Sequence, residues 1–271
     1  MKQRGVAPRS VHRTFGGLML AVGVMLTTDV SFMPRAQAQS DDAAKILKTM
    51  SDYIASQKTL SVAYDADIEV ITSGLQKIQF AGSGQVQLRR PDELHVARTG
   101  GYTDVELVSD GKIVTINNKV SNSFTQFDFS GPVDQLIDLL RDKYAVTAPG
   151  ADLLFSNAFD VLMEDVTDAK HIGRGVIDGV ECEHLAFRNS DTDWQIWIEV
   201  GARPIPRKYV ITSKSVAAAP QYTLRIKEWK AEVPTDAFAF KAPEGAKKVA
   251  IGALTDIDEV PEGIVPTGAK K

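Results

Sequence analysis

SVAYDADIEV (residues 61–70) and QFAGSGQVQL (residues 79–88) decide the fold. In the first, Val62, Tyr64, Ala66, Ile68 and Val70 alternate with Ala63, Asp65, Asp67 and Glu69. Successive side chains of a strand point to opposite faces, so a period of two means one dry face and one wet face. In the second, Phe80, Val86 and Leu88 share a face with Gly82 and Gly84, while Gln79, Ser83, Gln85 and Gln87 share the other. Glycine weakens a strand interior unless the sheet must bend or something must approach closely. The pattern predicts a strongly curved antiparallel sheet.

Further strands are expected at 93–99, 104–109, 112–118 and 122–128, with SDGK (109–112) and NNK (117–119) as turn chemistry between them. IDGVECEHLAF (177–187) reads as a hairpin around Asp178-Gly179, followed by strands in DWQIWIEV (193–200), RKYVIT (207–212) and QYTLRIKEW (221–229). Trp194, Ile196 and Ile198 share one face, with Gln195, Trp197 and Glu199 on the other. Trp197 is therefore expected outside the core, as a cross-strand partner.

Elsewhere the period is helical. Ala43, Leu47, Met50 and Ile54 predict an amphipathic helix over 41–57, capped by Ser40, with Asp41 and Asp42 in its first turn. Pro132 opens a second helix (132–143) carrying Val133, Leu136, Ile137 and Leu140. Pro149 opens a third (150–163) carrying Leu153, Leu154 and Phe155. Strands in sequence with helices at the start and in the middle make an α+β plan, the helices covering the concave side of the sheet.

The amino terminus sets the compartment. Lys2, Arg4, Arg9 and Arg13 precede the apolar run Phe15–Thr28, and Ala36-Gln37-Ala38 offers the small residues that a signal peptidase needs. The run falls short of the roughly 20 residues that cross a bilayer. The expected organisation is a cleaved signal peptide (1–38), one domain (39–250) and a flexible Pro/Gly-rich tail (251–271), not membrane-spanning after cleavage and monomeric. Residues 1–38 hold five of the 31 Lys/Arg and one of the 35 Asp/Glu, so the remainder carries a net charge of −8. An acidic chain lacks the basic footprint that nucleic acid requires.

Catalytic and metal-binding patterns are not found. Cys182 is the one cysteine, so no intrachain disulfide forms, and its place in a strand reads as a small buried side chain. His95, His171 and His184 are scattered. Glu181, Cys182, Glu183 and His184 are contiguous, but strand alternation sends neighbours to opposite faces. No G-x-S-x-G elbow, P-loop or dinucleotide fingerprint occurs. The expectation is a non-catalytic protein with no cofactor and no metal.

Three stretches carry a family resemblance: GSGQVQLRRPDELHV (82–96), LVSDGKIVTIN (107–117) and DAFAFKAPEGAKKV (236–249). In that order they resemble the hairpins and closing segment of periplasmic lipoprotein carriers of the LolA type and the related LolB and RseB domains. With IDGVECEHLAF and DWQIWIEVGARPIPRKYVIT, the chain is more similar to a bacterial family of predicted periplasmic proteins placed near those carriers. The resemblance implies an open half-barrel of about ten strands, helices inside the curve, and an apolar cavity for acyl chains. It also implies that the Arg before the Pro, here Arg90, holds a helical lid by hydrogen bonds. Counting by two from Phe80, Val86 and Leu88 also arrives at Arg90, leaving Arg89 toward water. An inward Arg needs acceptors, whether it is a lid latch or only ties down a strand end.

The expected ligand-binding face is Val62, Tyr64, Ile68, Val70, Phe80, Val86, Leu88, Leu94, Val96, Ile196 and Ile198. The expected function is a periplasmic carrier or binding protein for a lipid, a lipoprotein acyl chain or a similar amphiphile. The alternative is an envelope interaction or sensor module whose groove is filled by its own side chains and which contacts a partner protein.

Overall fold

The computed structural model describes residues 35–261 other than 145, 147, 255 and 256, together with 264. The basic and apolar parts of the expected signal peptide lie outside the described residues. Helix α1 (Arg35–Ser56) leads into six strands: β1 (Thr59–Ile71), β2 (Lys77–Arg89), β3 (Glu93–Gly100), β4 (Asp104–Asp110), β5 (Ile113–Asn118) and β6 (Ser123–Asp128). Then come α2 (Val133–Tyr144), a 3-10 turn (Ala151–Leu154) and α3 (Ala158–Met163). Five more strands follow: β7 (Asp168–Ile177), β8 (Val180–Arg188), β9 (Thr192–Glu199), β10 (Pro206–Ser213) and β11 (Gln221–Lys230). A two-residue strand β12 (Lys247–Lys248) and a second 3-10 turn (Ile251–Ala253) end the order.

All twelve strands belong to one sheet, in the order β12-β6-β5-β4-β3-β2-β1-β11-β10-β9-β8-β7. Its two meanders join where β11 pairs with β1, and its edges, β12 and β7, do not meet, so the sheet is open. Neighbours are antiparallel except β12 with β6. The count exceeds the ten or so expected because β12 adds a short parallel strand that has no period to read.

Directly opposite registers carry one apolar face across the sheet. Leu60, Leu88, Leu94, Ser109, Val114 and Phe127 form one row across β1 to β6. Ala66, Leu224, Tyr209, Ile196 and Leu185 form another, from β1 across β11, β10 and β9 to β8. Helix α1 packs on β7, β8 and α3, and its Ala43, Leu47, Met50 and Ile54 are fully buried. Helix α2 buries Val133, Leu136, Ile137 and Leu140, and Tyr144 at its end lies 5.1 Å, ring to ring, from Phe127.

Two helices differ from expectation. Helix α1 begins at Arg35 rather than 41, since Ala and Gln continue a helix readily. The third helix is broken: Phe155 is extended, with φ −61° and ψ 147°, and α3 starts only at Ala158. The Ser156 N–H, which would continue the helix, instead donates to the Asp134 carboxylate of α2 at 3.1 Å.

The two tryptophans of β9 separate as period two requires. Trp194 is buried and stacks on Phe187 at 4.0 Å. Trp197 lies on the outer face opposite His184, the rings stacked at 4.1 Å and 12°, with Lys208 Nζ 5.0 Å from the indole. Burial holds the His184 imidazole below its ordinary range, against a hydrogen bond to Gln195 that opposes the shift.

Gly84 is a packing requirement. A Cβ there would lie 2.3 Å from Cζ and 2.4 Å from the hydroxyl of Tyr64, the residue opposite it on β1. Gly84→Ala should lower stability by about 1–3 kcal/mol, the usual range for overpacking. Tyr64→Ala in that background should recover part of the loss, as read from urea unfolding midpoints. For His184, a folded pKa below the unfolded one means its stabilisation is complete above about pH 6.5 and is lost as pH falls through the folded value. His184→Phe keeps a ring on Trp197 and should shrink the drop in unfolding midpoint between about pH 7.5 and 5. An equal drop in both proteins would contradict this role for His184.

Candidate functional site

The candidate site is the covered face of β1, β2, β3 and β11. Val62, Tyr64, Ile68, Val70, Phe80, Val86, Leu88, Leu94 and Val96 all stand there, and Ile196 and Ile198 share the face further along, on β9. Burial divides them. Val62, Val70, Leu88, Leu94, Ile196 and Ile198 are buried, whereas Tyr64, Ile68, Phe80, Val86 and Val96 remain partly accessible. The partly accessible group is contiguous, because Ile68 faces Phe80, Tyr64 faces Gly84, and Val86 faces Val96. Gly82 lies opposite Ala66 on one side and Gly100 on the other, so this row carries only small residues. Two open depressions on the outer face, about 510 and 650 Å³, are lined chiefly by polar groups such as Gln85, Gln87, Ser83 and Asp65.

Two arginines stand on the covered face, and each holds a segment that is not part of the sheet's core strands. Arg90 follows the parity of Val86 and Leu88. Its Nη2 donates to the Leu154 carbonyl of the first 3-10 turn at 2.8 Å, and Asp134 lies 4.0 Å from Nη1. Its side chain is 15% exposed, and desolvation lowers its pKa while Asp134 raises it. Arg89 contrasts with it: its Nη1 bonds Glu93 at 2.8 Å, its guanidinium lies over the Phe238 ring, and it is about one-third exposed.

Arg98 is the second. It has the parity of Leu94 and Val96 and stands opposite Gly84. Its Nη2 donates to the Ile257 carbonyl at 2.5 Å, and its Nε lies 3.1 Å from Glu259 Oε1. Residues past 250 therefore reach the covered face: Leu254 is buried, and Ile251 and Ile257 pack against the core. A Cβ on Gly82 would come within 3.4 Å of Glu259 Oε1. Burial raises the phenol pKa of Tyr64 and of Tyr222, and both feel Arg98 and Glu259.

The titratable groups elsewhere are spread over the sheet. His95 pairs with Glu106, His171 with Glu183, and His184 with Gln195. Cys182 is buried, and desolvation pushes its thiol pKa up, away from the reactive thiolate. Among the described residues no group of three or more His, Cys, Asp or Glu is arranged to hold a metal ion, and no helix is long and apolar enough to cross a membrane.

Residues 43–252 match a family described as predicted periplasmic proteins, DUF2092. The chain belongs to that family. Its compartment is the periplasm, in agreement with the amino-terminal reading, and its family is the one that the motifs resemble. An uncharacterized protein of Methanocaldococcus jannaschii is 21% identical over 251 residues, which is 90% of this chain and 65% of that protein's length. The chain is also similar to a crystal structure of an uncharacterized conserved protein from Thermus thermophilus, with 13% identity, TM-score 0.46, and coverage of 77% of this chain and 98% of that one. LprF from Mycobacterium bovis is similar at 14% identity and TM-score 0.45, with 77% and 99% covered. A LolA superfamily protein from Nitrosomonas europaea follows at 12% identity and TM-score 0.36, with 73% and 97% covered.

Arg98 and its tail partners were missed in the DUF2092 sequence. The signal for Arg98 was present, since counting by two from Leu94 and Val96 reaches it. No local pattern pairs it with Glu259, which lies far along the chain.

Removing the Arg90 bond tests what it holds. A hydrogen bond to a charged donor contributes about 1.5–3 kcal/mol. Arg90→Leu should accelerate amide hydrogen exchange across 151–163 by roughly tenfold or more, with a smaller effect on the global unfolding midpoint. Arg89→Leu should leave exchange there unchanged. Uniform acceleration throughout the sheet would mean that Arg90 only ties down its strand.

Proposed function

We propose that this protein is a non-catalytic periplasmic carrier or binding protein for a lipid, a lipoprotein acyl chain or a similar amphiphile. In this reading the sheet curves as an open half-barrel, and its covered face receives the apolar chain. One observation carries it: the apolar face is covered by separate segments, and inward arginines tie two of them down through backbone carbonyls. A core closed for good would not need charged groups at its inner surface, where each costs desolvation.

Magnitudes rank the covers. The segment 151–163 buries Leu153, Phe155, Ala158 and Leu162. Exposing its three large side chains would cost about 1.5–3 kcal/mol each. The described part of the carboxy-terminal segment buries Leu254 alone, at up to about 1.5–3 kcal/mol. An acyl chain returns about 0.8 kcal/mol per methylene, so roughly eight methylenes exceed the cost of releasing the second cover and reach only the low end of the cost of releasing both. Arg90 is thus the latch of the larger cover, and the carboxy-terminal segment is the first to move.

A second reading has its own support. Leu88, Leu94, Ile196 and Ile198 are already buried by the protein's own side chains, as in an envelope interaction module with a self-filled groove. Titration with an uncharged naphthylamine probe separates the two. A carrier should bind it with micromolar affinity, and Val86→Trp, which fills the accessible stretch, should weaken binding by about tenfold, or 1.4 kcal/mol. Absence of probe binding, together with absence of co-purified lipid in native mass spectrometry, would leave the interaction module in its place.

A further inference from the structure

Glu259 sits where a carboxylate is costly. Its side chain is 10% exposed, on the apolar side of the sheet, and such a group is tolerated only with a charged partner. The partner is Arg98, at 3.1 Å, whose neighbours of the same parity are Leu94 and Val96. Two residues before Glu259, Ile257 packs its side chain on the core while its carbonyl accepts from the same guanidinium. The segment thus offers the covered face an apolar group followed by a carboxylate, which is the chemistry of a fatty acid. Beside it Gly82 presents no side chain, and Tyr64, Ile68, Phe80, Val86 and Val96 are only partly buried.

We propose that Arg98 is the headgroup site for a fatty carboxylate, and that Ile257–Glu259 is an intrachain surrogate which this ligand displaces. The assignment rests on the carrier reading and names the ligand class for the same face. The incoming carboxylate takes over the ion pair with Arg98, and its chain runs along the partly buried positions toward Phe80 or Val86. Exchanging one carboxylate for another avoids a step in which Arg98 is left unpaired against the apolar face. The phenols of Tyr64 and Tyr222, protonated at neutral pH, remain able to donate hydrogen bonds to the newcomer. An uncharged amphiphile would instead leave Arg98 without its anion, so the site discriminates by headgroup rather than by chain.

The experiment compares dansylaminoundecanoic acid with its methyl ester, which has the same chain and no charge. Both are titrated against the full-length protein purified from the periplasm, and the ratio of their affinities is the readout. Glu259→Gln removes the competing carboxylate and should raise the preference for acid over ester by about tenfold. Arg98→Gln should bring the ratio close to one, and Arg98→Lys, which keeps the charge, should retain part of the preference. Circular dichroism confirms that each variant is folded, and the Lys variant carries the test if the Gln variant is not. Binding of both probes with a ratio that Glu259→Gln and the Arg98 variants leave unchanged would overturn the headgroup assignment while the carrier reading stands. Binding of neither probe to any form would overturn both.

Discussion

A sheet that is apolar on one side and open at both edges has to cover that side with something else. In a sandwich the cover is a second sheet, and in a closed barrel it is the opposite wall. Here the cover is assembled from α1, α2, the first 3-10 turn with α3, and Val249, Ile251, Leu254 and Ile257 after β12. The registers make the demand strict. Because Leu60, Leu88 and Leu94 lie directly opposite one another, as do Ala66, Leu224, Tyr209 and Ile196, a slip of one residue in any strand would turn its apolar set to water.

The covers are not equally bound. Helix α1 buries four positions completely and rests on β7 and β8, at one edge. Helix α2 is anchored by its own apolar stripe and through the Val133 N–H, which donates to the Pro91 carbonyl next to Arg90. The 3-10 turn is held by the Arg90 bond together with the Arg141–Asp152 ion pair and the Ser156–Asp134 bonds, and the described carboxy-terminal residues by Arg98. The arrangement grades the face from an edge at β7 and β8 that lies under a whole helix to a centre at β1, β2 and β3 that lies beside segments bonded to arginines. The partly accessible residues lie in that centre.

Much of this was legible in the residues, because period two and period 3.6 are set by local geometry. The alternation in 61–70 and 79–88 reports which side chains share a face, and the register of β1 with β2 keeps them together without a break. Trp197 could be placed outside from its parity alone, although His184 as its stacking partner depends on the pairing of β8 with β9. What escaped was set by distant contacts. The interruption before α3 comes from Asp134 of another helix capturing the Ser156 N–H. β12 is two residues of pairing with no pattern of its own. The described residues after 250 look aperiodic because Leu254, Ile257 and Glu259 meet the apolar face and Arg98 rather than their neighbours in sequence.

An inward arginine has a cost that apolar packing would avoid, and replacing a buried ion pair by apolar groups is often neutral or stabilising. Leu or Met at position 98 would have served a permanently sealed face at least as well, since Leu94 and Val96 already stand beside it. An arginine there suits a face whose cover is exchanged, because it can hand its bonds from one acceptor to another while staying charged. The same reasoning applies to Arg90, with a difference of degree. Its acceptor is the Leu154 carbonyl, a neutral group on a segment with substantial apolar burial, whereas Arg98 faces a carboxylate on a segment with little. A neutral carbonyl is a weak rival to an anion, and a carboxylate is an equal one. The more easily reached of the two arginines by an anionic headgroup is therefore Arg98, where the chain already holds the group that such a headgroup would replace.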